Sequence, residues 1–209
     1  MTIPILYEDD DLLIVNKPAE LLTVPGRGAD KQDCLINRIK RNEPNARIIH
    51  RLDMSTSGIV IIAKHHEAQV AMGHLFEQRN IQKNYIAVVG GELKEQKGRV
   101  DLPLICDWPN RPKQKVDHTE GKPAQTDFET LSFEPTNNQT RVALKPITGR
   151  SHQLRVHMLA IGHPIVGDNL YAPEPIKAQS SRLLLHASEI AFIQPLSQTK
   201  IHICSEPPF

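Results

Sequence analysis

Residues 50–63 read HRLDMSTSGIVIIA, and this stretch guides the prediction of both fold and function. Its second half, 59–63, is an unbroken apolar run of the length typical of a buried strand. Its first half places Arg51 and Asp53 two residues apart, followed by small hydroxyl residues and a glycine. Loops that lead into strands often carry reactive side chains, because the strand fixes the position of the loop. The alternative is a structural turn in which Asp53 binds the backbone of Ser55 or Thr56.

The composition is that of an ordinary globular protein, with 209 residues, 39% hydrophobic residues, 23% charged residues and a net charge of +1. This length favours one domain over residues 1–209. No apolar run reaches the roughly 18 residues of a membrane span, and the N-terminus lacks the basic start of a secretory signal. The three cysteines are odd in number and widely spaced, which predicts reduced cytosolic thiols and not a disulfide framework or a zinc site. We therefore expect a cytoplasmic protein.

Helical and strand patterns follow one another without a regular βαβ rhythm, which predicts an α+β fold with a mixed, largely antiparallel central sheet flanked by helices and loops. The predicted strands are 12–16, 59–63, 85–89, 127–133, 141–145, 183–185 and 190–192. The predicted helices are 33–41, 67–78 and 151–161. Segment 101–123 is rich in proline and basic residues and is predicted to be mostly loop.

Residues 50–58 resemble the signature of the RluA family of pseudouridine synthases, in which the aspartate is catalytic. Three further blocks support this resemblance. Residues 17–26 resemble the family's first, structural motif, with Glu20 in place of the usual glycine, and Lys83-Asn84-Tyr85 resembles its tyrosine motif. Residues 145–157, KPITGRSHQLRVH, are similar to its third motif. The likeness runs from Leu6 to about Ala187.

The resemblance implies a role for each matching residue. Asp53 either attacks C1′ of a uridine or removes its 2′ proton, and Arg155 pairs with Asp53. An adjacent guanidinium favours the ionised form of a carboxyl group, as a nucleophile or base requires. Arg51 fills the place of the extruded base, while Tyr85 contacts the uracil.

Further basic residues are expected to bind the substrate, namely His50, Arg150, Arg111, Lys113 and Lys115. The two arginines of 145–157 are either solvated or bind phosphate beside a helix N-terminus. Trp108 and the neighbouring cations suit unstacked RNA bases, although an ordinary loop with Trp108 packed inward is equally compatible. The basic clusters are otherwise a solvated face.

The dual-specificity members of the family imply two RNA substrates, a hairpin of 23S rRNA and the anticodon stem-loop of tRNA. No cofactor, membrane or protein partner is expected, and the chain is expected to begin at the catalytic domain, without an S4-type domain before it. His152, His157 and His163 lack cysteine or carboxylate partners at helical spacing, so no metal site is predicted. Two other functions remain open, a non-catalytic RNA-binding protein and a glycoside hydrolase, which would need a second carboxyl group near Asp53.

Overall fold

The computed structural model describes residues 3–209, which form two compact units. The first unit contains residues 3–83 and Ala187–Pro208, and the second contains Asn84–His186 and Phe209. Within residues 3–209, no helix is long and apolar enough to cross a membrane.

Twelve strands and four α-helices, numbered in chain order, make up the regular structure of residues 3–209. The strands are β1 (Ile5–Glu8), β2 (Leu12–Lys17), β3 (Arg47–Ile48), β4 (Ser57–Ala63), β5 (Gln82–Gly90), β6 (Lys97–Asp101), β7 (Leu104–Cys106), β8 (Gln114–Val116), β9 (Gln125–Glu134), β10 (Gln139–Pro146), β11 (Leu185–Ile193) and β12 (Lys200–Cys204). The helices are α1 (Leu35–Ile39), α2 (His66–Glu77), α3 (Gln153–Ala160) and α4 (Glu174–Lys177).

In the first unit, β4 is the central strand and every one of its residues is buried. It pairs antiparallel with β2, which in turn pairs with β1, while β11 lies on the other side of β4 and pairs with β12. Helix α2 buries Ala68 and Met72 in the same core as Ile59 and Ile61. Gly58 has a φ of +118°, and a Cβ there would collide with the backbone N and O of Ala187. Only glycine therefore fits where the loop enters β4.

In the second unit, β5 pairs with β10, β10 with β9 and β9 with β6, all antiparallel. Helix α3 contributes Leu154 and Met158 to the core beside this sheet, where they meet Ala87, Val142 and Leu144. Strands β7 and β8 form a separate antiparallel hairpin. The paired segments confirm the predicted α+β fold with a largely antiparallel sheet.

Segment 101–123 is mostly loop, as predicted, and contains the short β7–β8 hairpin. Two other local predictions were wrong in part. The helix predicted for 33–41 is only α1, because the carboxylate of Asp33 binds Arg38 at 2.6 and 2.7 Å and does not cap the helix. The strands predicted at 183–185 and 190–192 are joined in one strand, β11, which begins only at Leu185 and continues through the residues between them.

Candidate active site

The loop that carries Asp53 is held by its backbone on both sides of that residue. Thr23 Oγ1 donates to the carbonyl of Leu52 at 2.7 Å and accepts from its N–H at 3.2 Å. Lys17 Nζ donates to the carbonyl of Met54 at 3.1 Å. Asp53 is half-buried, and its carbonyl accepts from the N–H of Thr56 at 3.1 Å, which closes the turn before β4. The loop therefore presents Asp53 from a fixed backbone position.

Lys17 is fully buried at the end of β2, and its ammonium group donates hydrogen bonds to three main-chain carbonyls. Besides Met54, it donates to the carbonyls of Pro18 at 2.9 Å and Leu21 at 2.8 Å. The turn between them keeps the conformation a glycine would adopt, because Glu20 has a φ of 59° in the left-handed region. Glu20 therefore adopts a conformation that glycine reaches without steric cost, at the position where the family resemblance expects glycine.

His50 and Arg51 precede Asp53 in different environments. The Nε2 atom of His50 accepts from the N–H of Ile61 at 2.9 Å, and its ring packs on Phe76 with centroids 4.9 Å apart. Burial lowers the pKa of His50 to about 3, and the charge of Lys83 adds to this effect. The imidazole is therefore neutral at physiological pH. Arg51 is exposed, as a residue that contacts RNA needs to be.

Tyr85 belongs to the second unit and lies on β5, opposite Leu144 of β10. It is half-buried and packs against the hydrophobic core of this unit. Its ring is therefore held by the sheet, as expected for a side chain that presents a flat surface to a base.

Arg155 lies on α3 and forms a buried ion pair with Asp168. Its Nε and Nη2 atoms donate to the two carboxylate oxygens at 2.8 and 2.7 Å, and the two side chains are only 2% and 1% exposed. The solvated-arginine interpretation is therefore wrong for Arg155, because residues 153–158 of α3 are all buried. Arg150, in contrast, is exposed and donates from Nε to the carbonyl of Pro123 at 3.2 Å.

Tyr171 connects this ion pair to strand β8 of the β7–β8 hairpin. The guanidinium of Arg155 lies 5.1 Å from the centre of its ring, within the range of a cation–π contact. Its hydroxyl accepts from the N–H of Gln114 at 2.8 Å and makes a 2.6 Å hydrogen bond with Nδ1 of His152. Helix α3, the turn before it and strand β8 are thus tied to one tyrosine.

The turn that holds Arg150 is anchored by the buried amide of Gln153. Its Oε1 accepts from the N–H of Arg150 at 3.0 Å and from Oγ1 of Thr148 at 2.7 Å. Its Nε2 donates to the carbonyl of Gln125 at 2.9 Å. Helix α3 begins only at Gln153, later than predicted, because His152 takes the left-handed conformation with a φ of 54°.

The loop between β7 and β8 presents an aromatic ring and cations to solvent. Trp108 is 65% exposed, so the alternative in which it packs inward is wrong. The guanidinium of Arg111 lies over its ring, 4.7 Å from the centroid. Lys113 is half-buried, and Lys115 is exposed with a 3.6 Å ion pair to Asp117.

Sequence reasoning missed the bonds of Lys17 and Thr23 to the Asp53 loop in the first unit, and the contacts of Asp168 and Tyr171 with Arg155 in the second. The signal for Asp168 was the turn around it, since its carboxylate also accepts from the N–H groups of Leu170 and Tyr171 at 2.9 and 3.1 Å. Such Asx turns are common and give no hint of a buried arginine partner. His157, in contrast, is fully buried and bonded to Thr126 and Leu102, as expected for a core histidine.

Comparisons with known proteins extend the resemblance to nearly the whole chain. A profile of the RNA pseudouridylate synthase family matches residues 11–160. The dual-specificity RNA pseudouridine synthase RluA of Escherichia coli K12 is 52% identical over 191 residues, 91% of this chain and 87% of that protein. The protein of the same name from Yersinia pestis is 48% identical over 205 residues, 98% of this chain and 99% of that protein.

A solved structure supports the fold independently of these sequences. Human RNA pseudouridylate synthase domain containing 1 superimposes with a TM-score of 0.83 at 29% identity, over 100% of this chain and 84% of that one. The predicted isomerase class and fold are confirmed. Because the profile covers most of the sequence and relatives about half identical span nearly all of it, the chain belongs to the RNA pseudouridylate synthase family, within its RluA group.

Proposed function

We propose that this enzyme isomerises uridine to pseudouridine in two structured RNAs, a hairpin of 23S rRNA and the anticodon stem-loop of tRNA. The relatives named dual-specificity RNA pseudouridine synthase support the choice of two substrates. The enzyme acts in the cytoplasm, where both RNAs are found. The two compact units act as one catalytic domain, a proposal supported by the family match, which includes residues of both.

The observation that carries this proposal is the clamped loop around Asp53. A residue that reacts with one atom of a sugar must be placed accurately, and a misplacement of about 1 Å can cost about a hundredfold in rate. Backbone bonds to Leu52 and Met54 give that accuracy without using the Asp53 carboxylate. Half-burial leaves the residue accessible to a substrate.

The reaction breaks the N1–C1′ bond of the uridine and forms a C5–C1′ bond. The C5 position then loses its proton and N1 gains one, so atoms balance without an external reactant. Asp53 either attacks C1′ or removes the 2′ proton. Arg155 pairs with Asp53 in this proposal and is itself oriented by Asp168.

The target base must leave its stack, at a cost of a few kcal/mol. Arg51 fills the vacated place, and Tyr85 contacts the extruded uracil. His50 and Arg150 contribute to substrate binding, His50 as a neutral group. The exposed Trp108 and the adjacent Arg111 offer surfaces on which further unpaired bases stack, with Lys113 and Lys115 near the phosphates.

Release of tritium from uridine labelled at C5 tests the proposal, because C5 loses its hydrogen in the reaction. The enzyme is incubated with labelled 23S rRNA hairpin, labelled anticodon stem-loop, and a hairpin of scrambled sequence. We expect release from the first two only. Release from one substrate would refute dual specificity, and release from neither would refute the proposed substrates.

Asp53→Asn is the matched variant, because it keeps the shape of the side chain and loses its charge. Turnover should disappear, while RNA affinity and melting temperature should stay close to those of the wild type. Measurable turnover by this variant would remove Asp53 from the chemistry.

A further inference from the structure

The outer face of the hairpin formed by β11 and β12 gathers three side chains of the types that bind metals. In the register of this hairpin, Glu189 lies directly opposite Cys204, and Ala191 lies opposite His202. His202 and Cys204 share one face of β12, because successive residues of a strand point to opposite sides. Ile201, which lies between Lys200 and His202, is buried on the inner face.

The three ligand atoms are already close together. Nε2 of His202 lies 2.7 Å from Oε1 of Glu189 and 3.7 Å from Sγ of Cys204. All three atoms lie within 4.8 Å of one another. The small side chain of Ala191, opposite His202, leaves room for the imidazole to lean towards Glu189.

The separations of His202 from Glu189 and from Cys204 are close to those that a tetrahedral zinc ion requires. With bond lengths of about 2.0–2.2 Å to nitrogen and oxygen and about 2.3 Å to sulfur, ligand atoms around zinc lie about 3.3–3.6 Å apart. Relative to that geometry, the His202–Glu189 distance must lengthen by about 0.6 Å and the His202–Cys204 distance must shorten slightly. Both changes need only small side-chain rotations, because His202 and Cys204 are exposed and Glu189 is half-buried.

We propose that Glu189, His202 and Cys204 form a surface site for a borderline divalent cation such as Zn²⁺. A thiolate, an imidazole and a carboxylate together favour zinc over magnesium or calcium, which prefer oxygen ligands. Three protein ligands leave the fourth position to water. None of these residues belongs to the blocks assigned to the reaction, so the site adds a binding property to the enzyme. This proposal departs from the sequence prediction, which found no metal site because spacing along the chain does not reveal a cross-strand ligand.

The test is a titration of the metal-depleted, reduced full-length protein with Zn²⁺ in a calorimeter and with Co²⁺ in a spectrophotometer. We expect one equivalent to bind, with an absorption band from thiolate-to-cobalt charge transfer. Cys204→Ser should abolish the band, and Cys204→Ser and His202→Gln should each weaken zinc binding about tenfold or more. Zinc should also protect Cys204 from alkylation.

Two matched controls separate this site from general surface binding. Cys106→Ser removes another accessible thiol, and His74→Gln removes a histidine that pairs with Glu77 at 3.5 Å. Both variants should bind zinc as the wild type does. The proposal is overturned if Cys204→Ser binds zinc with unchanged affinity, if either control abolishes binding, or if the cobalt complex shows no thiolate band. The two substituted positions of the β11–β12 hairpin, 202 and 204, are exposed, and a melting curve of each variant confirms that it is folded.

Discussion

Replacement of Asp168 by Asn should destabilise the protein and cripple the enzyme together, because it removes the charge that balances buried Arg155. The carboxylate is fully buried and accepts four hydrogen bonds, two of them from Arg155 and two from backbone N–H groups. An Asn with its oxygen at the Oδ1 position keeps three of these bonds. In the wild type, Nε of Arg155 donates to Oδ2 of Asp168 at 2.8 Å. In the variant the amide nitrogen takes the place of Oδ2, so two hydrogen-bond donors face each other.

The cost follows from the burial of the pair. Removal of one partner of a buried ion pair typically costs about 3–5 kcal/mol, and the three retained hydrogen bonds place Asp168→Asn near 3 kcal/mol, roughly the lower end of that range. Folded proteins have about 5–15 kcal/mol in total, so the variant should still fold at room temperature. Urea denaturation gives the free energy of unfolding, and turnover on a uridine hairpin should fall with it because Arg155 and Tyr171 lose a fixed orientation.

Asp127→Asn is the matched control, since Asp127 pairs with Arg99 at the surface, where the side chains are 33% and 55% exposed. Exposed pairs contribute less than about 1 kcal/mol. The double variant Arg155→Met/Asp168→Asn removes both charges and should be less destabilised than the sum of the single variants by about 1–3 kcal/mol. If Asp168→Asn costs no more than the control, or if the two single effects simply add, the buried pair does not have the role argued for it.

Three more predictions follow from the two units. Lys17→Met removes the three hydrogen bonds from the lysine ammonium group to main-chain carbonyls around the Asp53 loop. Turnover should fall more than tenfold with little change in KM, and the free energy of unfolding should drop by about 1–3 kcal/mol. Turnover equal to that of the wild type would show that these bonds do not position the loop. His50 stays neutral in the folded protein but binds a proton in the unfolded chain below its ordinary pKa of 6.5, so the free energy of unfolding should fall as pH drops from about 6.5, by up to about 1.4 kcal/mol per unit. His50→Gln should flatten that dependence between about pH 7 and 5 in urea denaturation, and an unchanged slope would show that His50 becomes protonated in the fold. Replacement of Arg111, Lys113 and Lys115 together by glutamine should weaken the binding of hairpin RNA and make its dependence on salt shallower, while single-turnover chemistry at saturation is kept. Filter binding at several salt concentrations measures both effects. If these cations only aid solubility, affinity and salt dependence will not change.

The sequence predicted the helices and strands in which apolar residues follow a clear pattern, and the residues that belong to them. The apolar run before Lys64 became a fully buried strand, and the apolar stripe of 67–78 became α2 to within a residue at each end. What it did not reveal were contacts between distant segments. In the sequence, Lys17 looks like a surface lysine, because its bond to the carbonyl of Met54 forms only in the folded protein. Asp168 likewise looks like a turn residue, because its ion pair with Arg155 of α3 forms only on folding. Charges buried by tertiary contacts leave no periodic trace in a single sequence.

The hydrogen bonds that hold the Asp53 loop are made to main-chain atoms, so the side chains of the loop can change without breaking them. Lys17 and Thr23 bind the backbone of positions 54 and 52, so their bonds do not depend on which side chains those positions carry. Met54 is 42% exposed, and a different residue there would leave the backbone position of Asp53 intact. Position 54 is therefore a place where a mutant library can vary an exposed side chain next to Asp53 without changing the bonds that hold the loop.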